Sequence, residues 1–225
     1  MLKSTVLLLL FALSCFISRA QLMDHTFHIY GRYSMGGVQG TPYTSENGTS
    51  YSMGSLNAEI LLKKRFGLNY NFDYQIRKDS INQFHASMGV IGAPILMGLG
   101  LYKSFDGDTT SKGAGAIFIG LLLLALPDGV SFHYSPAYRW DVSPYANILG
   151  LDFVRDRKTS ETFIKYACSF GVKGTYILND LITFTAFAET RQAAKFGWGF
   201  GGGLGVGVVL GKKKPATEQN QPTGE

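Results

Sequence analysis

The sequence predicts an all-β fold: a closed antiparallel transmembrane β-barrel of about eight strands. Three observations carry this. Residues 196–211, FGWGFGGGLGVGVVLG, alternate large apolar residues with glycine over most of their length. Phe196, Trp198, Phe200, Leu204, Val206, Val208 and Leu210 share one face and bare backbone the other, which is the two-residue period of a strand. Its sixteen residues are long for a soluble strand and suit a tilted crossing of a bilayer. The same period recurs upstream with charged residues on the second face. Finally, the chain opens on an export signal and is rich in glycine, with 28 residues, and in aromatics, at 13%.

Residues 1–20 carry Lys3, an apolar run Val6–Leu13 and the small-x-small site Ser18-Arg19-Ala20, so cleavage is expected before Gln21. Ala12-Leu13-Ser14-Cys15 is a poor lipoprotein match, and the apolar run is too short for an anchor. Residues 21–211 then form one barrel, and 212–225 a disordered polar tail that starts at Lys212–Lys214. Loss of Lys3 and Arg19 lowers the formal charge from +5 to +3, too small and scattered to suggest nucleic acid. Only Cys168 survives processing, which excludes an intramolecular disulfide and a cysteine metal cluster.

The strands follow in order. Residues 25–36 place Phe27, Ile29, Tyr33 and Met35 outward, with His28, Tyr30, Arg32 and Ser34 inward. Residues 37–52 are a Gly/Ser/Thr/Asn-rich loop. Residues 54–66 set Leu56, Ala58, Ile60, Leu62 and Phe66 against Asn57, Glu59, Leu61, Lys63 and Arg65. A tight turn at Arg65–Gly67 leads into 67–78, where Leu68, Tyr70, Phe72, Tyr74 and Ile76 oppose Asn69, Asn71, Asp73, Gln75 and Arg77. An apolar row outside and a charged row inside mark a barrel wall.

Residues 79–129 are a long link. Within it, Ala86–Tyr102 and Gly113–Leu126 are continuously apolar, without alternation. They predict two short helices hinged at Phe105–Lys112, inserted between strands 3 and 4, each too short to span a bilayer alone. Gly89 and Ala93, four apart, permit close helix contact. Read as two strands instead, the insert raises the count to ten and keeps it even. The hairpin is expected on the lipid side or rim, since a charged lumen penalises an apolar plug.

Alternation resumes at 130–136, with Val130, Phe132 and Tyr134 outward and Ser131 and His133 inward. After a turn at 137–143, residues 144–154 set Tyr145, Leu149, Leu151 and Phe153 outward and Asp152 inward. Residues 162–176 follow a charged loop, with Lys165 and Lys173 inward. Residues 181–190 place Glu189 inward, and Arg191–Lys195 leads into the glycine strand. With both ends of the barrel periplasmic, the turns near 65–67, 137–143 and 177–180 are periplasmic and links 37–52 and 79–129 external.

The expected lumenal set is Arg32, Glu59, Lys63, Arg65, Asp73, Arg77, Asp152, Lys165, Lys173 and Glu189. Its mixed signs predict a paired structural network, because isolated charges do not tolerate burial. The glycine strip is expected to be filled by long lumenal side chains such as Arg32 and Arg77. Ser131 and His133, two apart on one face, are the one candidate catalytic pair, and no acid is identifiable beside them. His25 and His28 fall on opposite faces, so no metal is expected, and no glycine pattern is a phosphate loop. No cofactor is expected.

The repeated hairpins, the apolar insert followed by LPDGVSFHYS and SPYANILGLDF, and the glycine-aromatic end resemble the small outer-membrane barrels of the OmpX and OmpA-transmembrane type. More particularly they resemble uncharacterised outer-membrane barrel proteins of Bacteroidota. The resemblance covers the mature chain and implies residence in the bacterial outer membrane. It implies membrane lipids or lipopolysaccharide and the barrel-assembly machinery as partners, with a surface partner through loops 37–52 and 79–129. It implies a non-enzymatic structural or surface-interaction role, with small-solute or lipid handling, or hydrolysis of lipid A, as alternatives. One departure is the C-terminal end of the last strand, Val208-Val209-Leu210-Gly211, where barrels of this class carry an aromatic.

Overall fold

The computed structural model describes residues 21–39, 48–62, 65–105, 112–193 and 197–212. The expected signal segment 1–20, most of the expected tail 212–225 and Lys63 lie outside the described residues. A 3-10 turn at Leu22–Asp24 precedes β1 (Phe27–Val38), β2 (Thr49–Leu61), β3 (Phe66–Arg77) and β4 (Ile81–Ser87). Two helices follow, α1 (Met88–Phe105) and α2 (Lys112–Leu124). Then come β5 (Gly129–Phe132), β6 (Tyr134–Ala137), β7 (Trp140–Asp156), β8 (Thr162–Ile177), β9 (Ile182–Ala193) and β10 (Gly197–Leu210).

All pairings are antiparallel, and β10 pairs with β1 over the whole length of β1, from Phe27↔Leu210 to Val38↔Gly199. The sheet is therefore closed. It holds eight strand positions, because β4, β5 and β6 share one. β4 pairs with the upper part of β3, Phe72↔Ala86. β5 pairs with the lower part, Leu68↔Val130. Extending these registers puts Ser87 opposite Asn71 and Asp128 opposite Tyr70. The fourth barrel strand is thus one strand, interrupted at mid-height by the forty residues 88–127.

The expected helical hairpin is present, and the structure refines where it leaves the sheet. It leaves the middle of the fourth strand, and Ile81–Ser87, expected to be link, is strand. The insertion has an even length, so both halves keep their alternation in phase with β3. The opposite neighbour, β7, compensates with a bulge between Asn147 and Gly150. There the Asp128 carbonyl accepts from both Ile148 N and Leu149 N, at 2.9 Å each.

The hairpin base lies on the outer wall. The Tyr70 hydroxyl donates to the Ala125 carbonyl at 2.9 Å, and the Ser87 hydroxyl to that of Leu126 at 3.2 Å. The helices pack on each other through small residues. Ala93 is fully buried, and side chains added at Gly89, Gly100 or Gly120 would meet the partner helix's backbone. Beyond that seam the hairpin exposes Ile95, Leu99, Leu101, Tyr102, Phe118, Ile119, Leu121 and Leu122. Neither helix is long and apolar enough to cross a membrane.

The wall is inverted relative to a soluble protein. β3 alternates without a fault: Gly67, Asn69, Asn71, Asp73, Gln75 and Arg77 are buried, and the intervening apolar residues are turned outward. Leu204 at 71%, Phe200 at 66% and Met35 at 63% exposure face away from the lumen. Burying charge and exposing apolar side chains is favourable where hydrocarbon is the solvent.

Two apolar clusters close the lumen, one at each end. At the loop end Val38, Tyr51, Met53, Ile81 and Val154 meet, with Phe163 against them. At the end bearing the termini Leu22, Leu61, Ile177 and Val209 meet, with Met23. Leu22 arrives on the 3-10 turn, which is tied to the wall by Gln21 Nε2 donating to Asp180 at 2.7 Å. Lys212 bonds the same exposed carboxyl and holds it below the usual carboxylate range.

Candidate functional site

Between the two apolar clusters lies a polar lumen whose buried charges fall in two halves. In the terminal half the centre is Glu59. Its Oε2 accepts from Lys173 Nζ at 2.6 Å and lies 3.5 Å from His28 Nδ1. Its Oε1 lies 2.9 Å from His133 Nε2 and accepts from the Ser131 hydroxyl. His133 Nδ1 is 2.9 Å from Asp141 Oδ1, which also accepts from Ser143. Lys173 Nζ stands 5.2 Å from the Tyr30 ring centroid.

In the loop-side half Arg32 reaches Glu189 at 3.1 Å and Asp73 at 3.6 Å, and lies over the Phe187 ring at 4.4 Å. Arg191 donates to Asp73. Glu189 accepts from the Tyr145 hydroxyl at 2.8 Å. Beside them His85 bridges Asp152 at 2.7 Å and Asp128 at 3.1 Å, and Asn71 donates to Asp128 at 2.6 Å. Arg77 forks onto Asp79 at 2.5 and 3.1 Å near the rim.

Of the expected set, Arg32, Glu59, Asp73, Arg77, Asp152, Lys173 and Glu189 are buried in the lumen. Lys165 is half-buried opposite Asp152. Arg65 is half-buried in the β2–β3 turn at the terminal end, with φ 143°.

Several participants escape a reading by face. Arg191 belongs to β9, not to a link. His85 lies on the strand half hidden before the apolar insert, and Asp128 and Asp141 sit at element ends that read as turns. Tyr145 is a correction: it is lumenal, at 8% exposure, and not outward. Parity counted back from Phe153 fails there because the β7 bulge shifts it by one residue.

The glycine row of β10 faces the lumen. A side chain at Gly201 would meet Tyr51, one at Gly205 would meet Arg32, and one at Gly207 would meet Tyr30. The strip is therefore filled by two tyrosines and Arg32. Arg77 belongs to the rim pair with Asp79 and does not fill it.

Ser131, His133 and Asp141 have the connectivity of nucleophile, base and orienting acid, with Ser131 Oγ 3.1 Å from His133 Nε2. The acid missing from the sequence reading is Asp141. Yet Ser131 donates to Glu59, whose oxygen also contacts His133. The Glu59 carboxylate occupies the space beside the Ser131 hydroxyl, and all four residues are at most 2% exposed. Together they form a buried hydrogen-bond chain.

No protein-family model matches the chain, and no curated protein does. Solved structures with similarity include the attachment invasion locus protein Ail of Yersinia pestis, at 10% identity and TM-score 0.46, over 82% of this chain and 97% of that one. Neisserial surface protein A aligns at 7% identity and TM-score 0.48, over 82% and 96%. The outer membrane protein OprG of Pseudomonas aeruginosa aligns at 9% identity and TM-score 0.45, over 84% and 99%.

Proposed function

We propose that this chain is an outer-membrane β-barrel, of the kind found in Bacteroidota, whose role is interaction and neither conduction nor catalysis. The observation that carries the reading is the filled lumen. Buried ion pairs around Glu59, Asp73 and His85 lie between two apolar clusters, and large buried side chains on this scale leave a small barrel little room for a solute along its axis. The surfaces left for function are the loop end and the outer wall, from which the apolar hairpin projects. The barrel-assembly machinery inserts the chain with its loop end outward, and the hairpin meets its partner within the membrane.

Planar bilayers test this. Protein reconstituted at single-molecule density should show no stepwise conductance. Discrete conductance steps would overturn the reading in favour of solute transport. Ester hydrolysis lost on Ser131→Ala would overturn it in favour of an enzyme.

A further inference from the structure

The loop-end rim carries a basic pocket with two cations that the lumenal network does not use. It has a volume of about 510 Å³ and is lined by the exposed Lys78 and Arg157, the apolar Met35 and Ile76, and the buried Arg77, which is already paired with Asp79. Ser50 and Ser52 supply hydroxyls beside the cations. Two turns build it. The β3–β4 turn brings Lys78, and the β7–β8 turn brings Arg157, whose Nε donates to the Ser80 carbonyl at 3.3 Å. Arg157 N bonds the same carbonyl at 3.0 Å, so the turns are fastened together.

The acids nearby are engaged. Asp79 takes the fork of Arg77, and Asp156 Oδ1 accepts from Lys158 N at 2.8 Å. Glu161 is exposed at the end of the β7–β8 turn, where its carbonyl accepts from Asp156 N at 3.0 Å. Among the described residues no carboxylate pairs with Lys78 or Arg157. Lys78, Arg155 and Arg157 are all exposed. Directly below them on the outer wall runs an apolar track of Met35, Ile76, Tyr74 and Tyr33, each 45% exposed or more. Cations over an apolar track, at the edge of a membrane-facing wall, fit a molecule with an anionic head and a hydrocarbon tail.

We propose that this pocket binds the phosphate-bearing headgroup of a membrane lipid. Lys78 and Arg157 hold the phosphate, and Met35 and Ile76 carry the first part of the acyl chain. The assignment rests on the outer-membrane reading above. Heat-modifiable gel mobility and a β-rich circular dichroism spectrum report the barrel separately from the site.

The test uses the protein folded in neutral detergent, titrated with short-chain phosphatidic acid and followed by native mass spectrometry. Diacylglycerol of the same chains and inorganic phosphate are the comparison ligands. One saturable phosphatidic acid is expected. The pair Lys78→Ala and Arg157→Ala should weaken it about thirtyfold, at roughly fivefold per cation. Arg139→Ala, at the opposite end, should leave it unchanged. Undiminished binding by the double variant, or equal binding of diacylglycerol, would overturn the phosphate site. Displacement of the lipid by equimolar inorganic phosphate would overturn the lipid assignment and leave a site for free anions. A variant without heat-modifiable mobility reports a failed barrel, and the single variants Lys78→Gln and Arg157→Gln then decide the site.

Discussion

Asp73 shows what a single lumenal residue contributes. It sits between Arg191 and Arg32, 1% exposed. Removing one partner leaves a buried charge under-compensated, which costs far more than the intact pair supplies. Arg191→Ala is therefore expected to destabilise the barrel by about 3–5 kcal/mol. Replacing both members, Arg191→Met with Asp73→Leu, should cost much less, since Arg32 keeps Glu189. Urea unfolding in lipid vesicles measures both. Equal losses would mean that the charges are not the source of the effect. Glycine acts at the same scale by absence. At Gly203 an added side chain would strike the backbone of Tyr33 and Ser34, whereas at Gly54 it would meet open space.

At the scale of the element, the interrupted fourth strand is the unusual feature. Its halves are in register across β3, so the hairpin is an insertion that the sheet does not need. Deleting residues 88–127 joins Ser87 to Asp128 opposite Asn71 and Tyr70. The shortened chain is expected to fold to a barrel with unchanged heat-modifiable mobility. It loses the hairpin's hydrogen bonds at Tyr70 and Ser87 and its packing on β4 and β7, plus its exposed apolar surface. Failure of this variant to fold, with a Gly-Ser linker across the same junction failing too, would show that the hairpin is part of the barrel's own stability.

At the scale of the whole molecule, the barrel's inversion makes depth in the membrane decide the cost of charge. Leu204 lies mid-strand on β10 and is 71% exposed, whereas Phe200 lies toward the loop end and is 66% exposed. Their exposures are nearly equal, so a difference between them reports depth. Leu204→Arg is expected to cost about 2–4 kcal/mol and Phe200→Arg about 0–1 kcal/mol. Unfolding titrations of both in vesicles check this, and equal costs would place the bilayer midplane elsewhere along β10.

Much of this architecture is legible in the sequence because a strand's two faces alternate without exception as long as register holds. The rows from Phe27 to Met35, from Leu68 to Ile76 and from Phe196 to Leu210 therefore declare closed-barrel character, strand count and most of the buried charges. Residue type also marks the apolar hairpin, since a run without alternation cannot serve a two-sided wall. What the tertiary structure decides is everything that depends on which strand meets which. The hairpin's mid-strand origin follows from two registers on β3. Tyr145 turned inward because of a bulge that only the pairing with β8 and β5 reveals. Asp141 joined His133 across the β6–β7 pairing, and Arg191 joined Asp73, 118 residues away, which no local pattern spans. The apolar caps required Val38, Met53, Ile81 and Val154 to converge from four strands. Alternation is a local property of one chain segment, whereas partnership in a lumen is set by closure of the whole sheet.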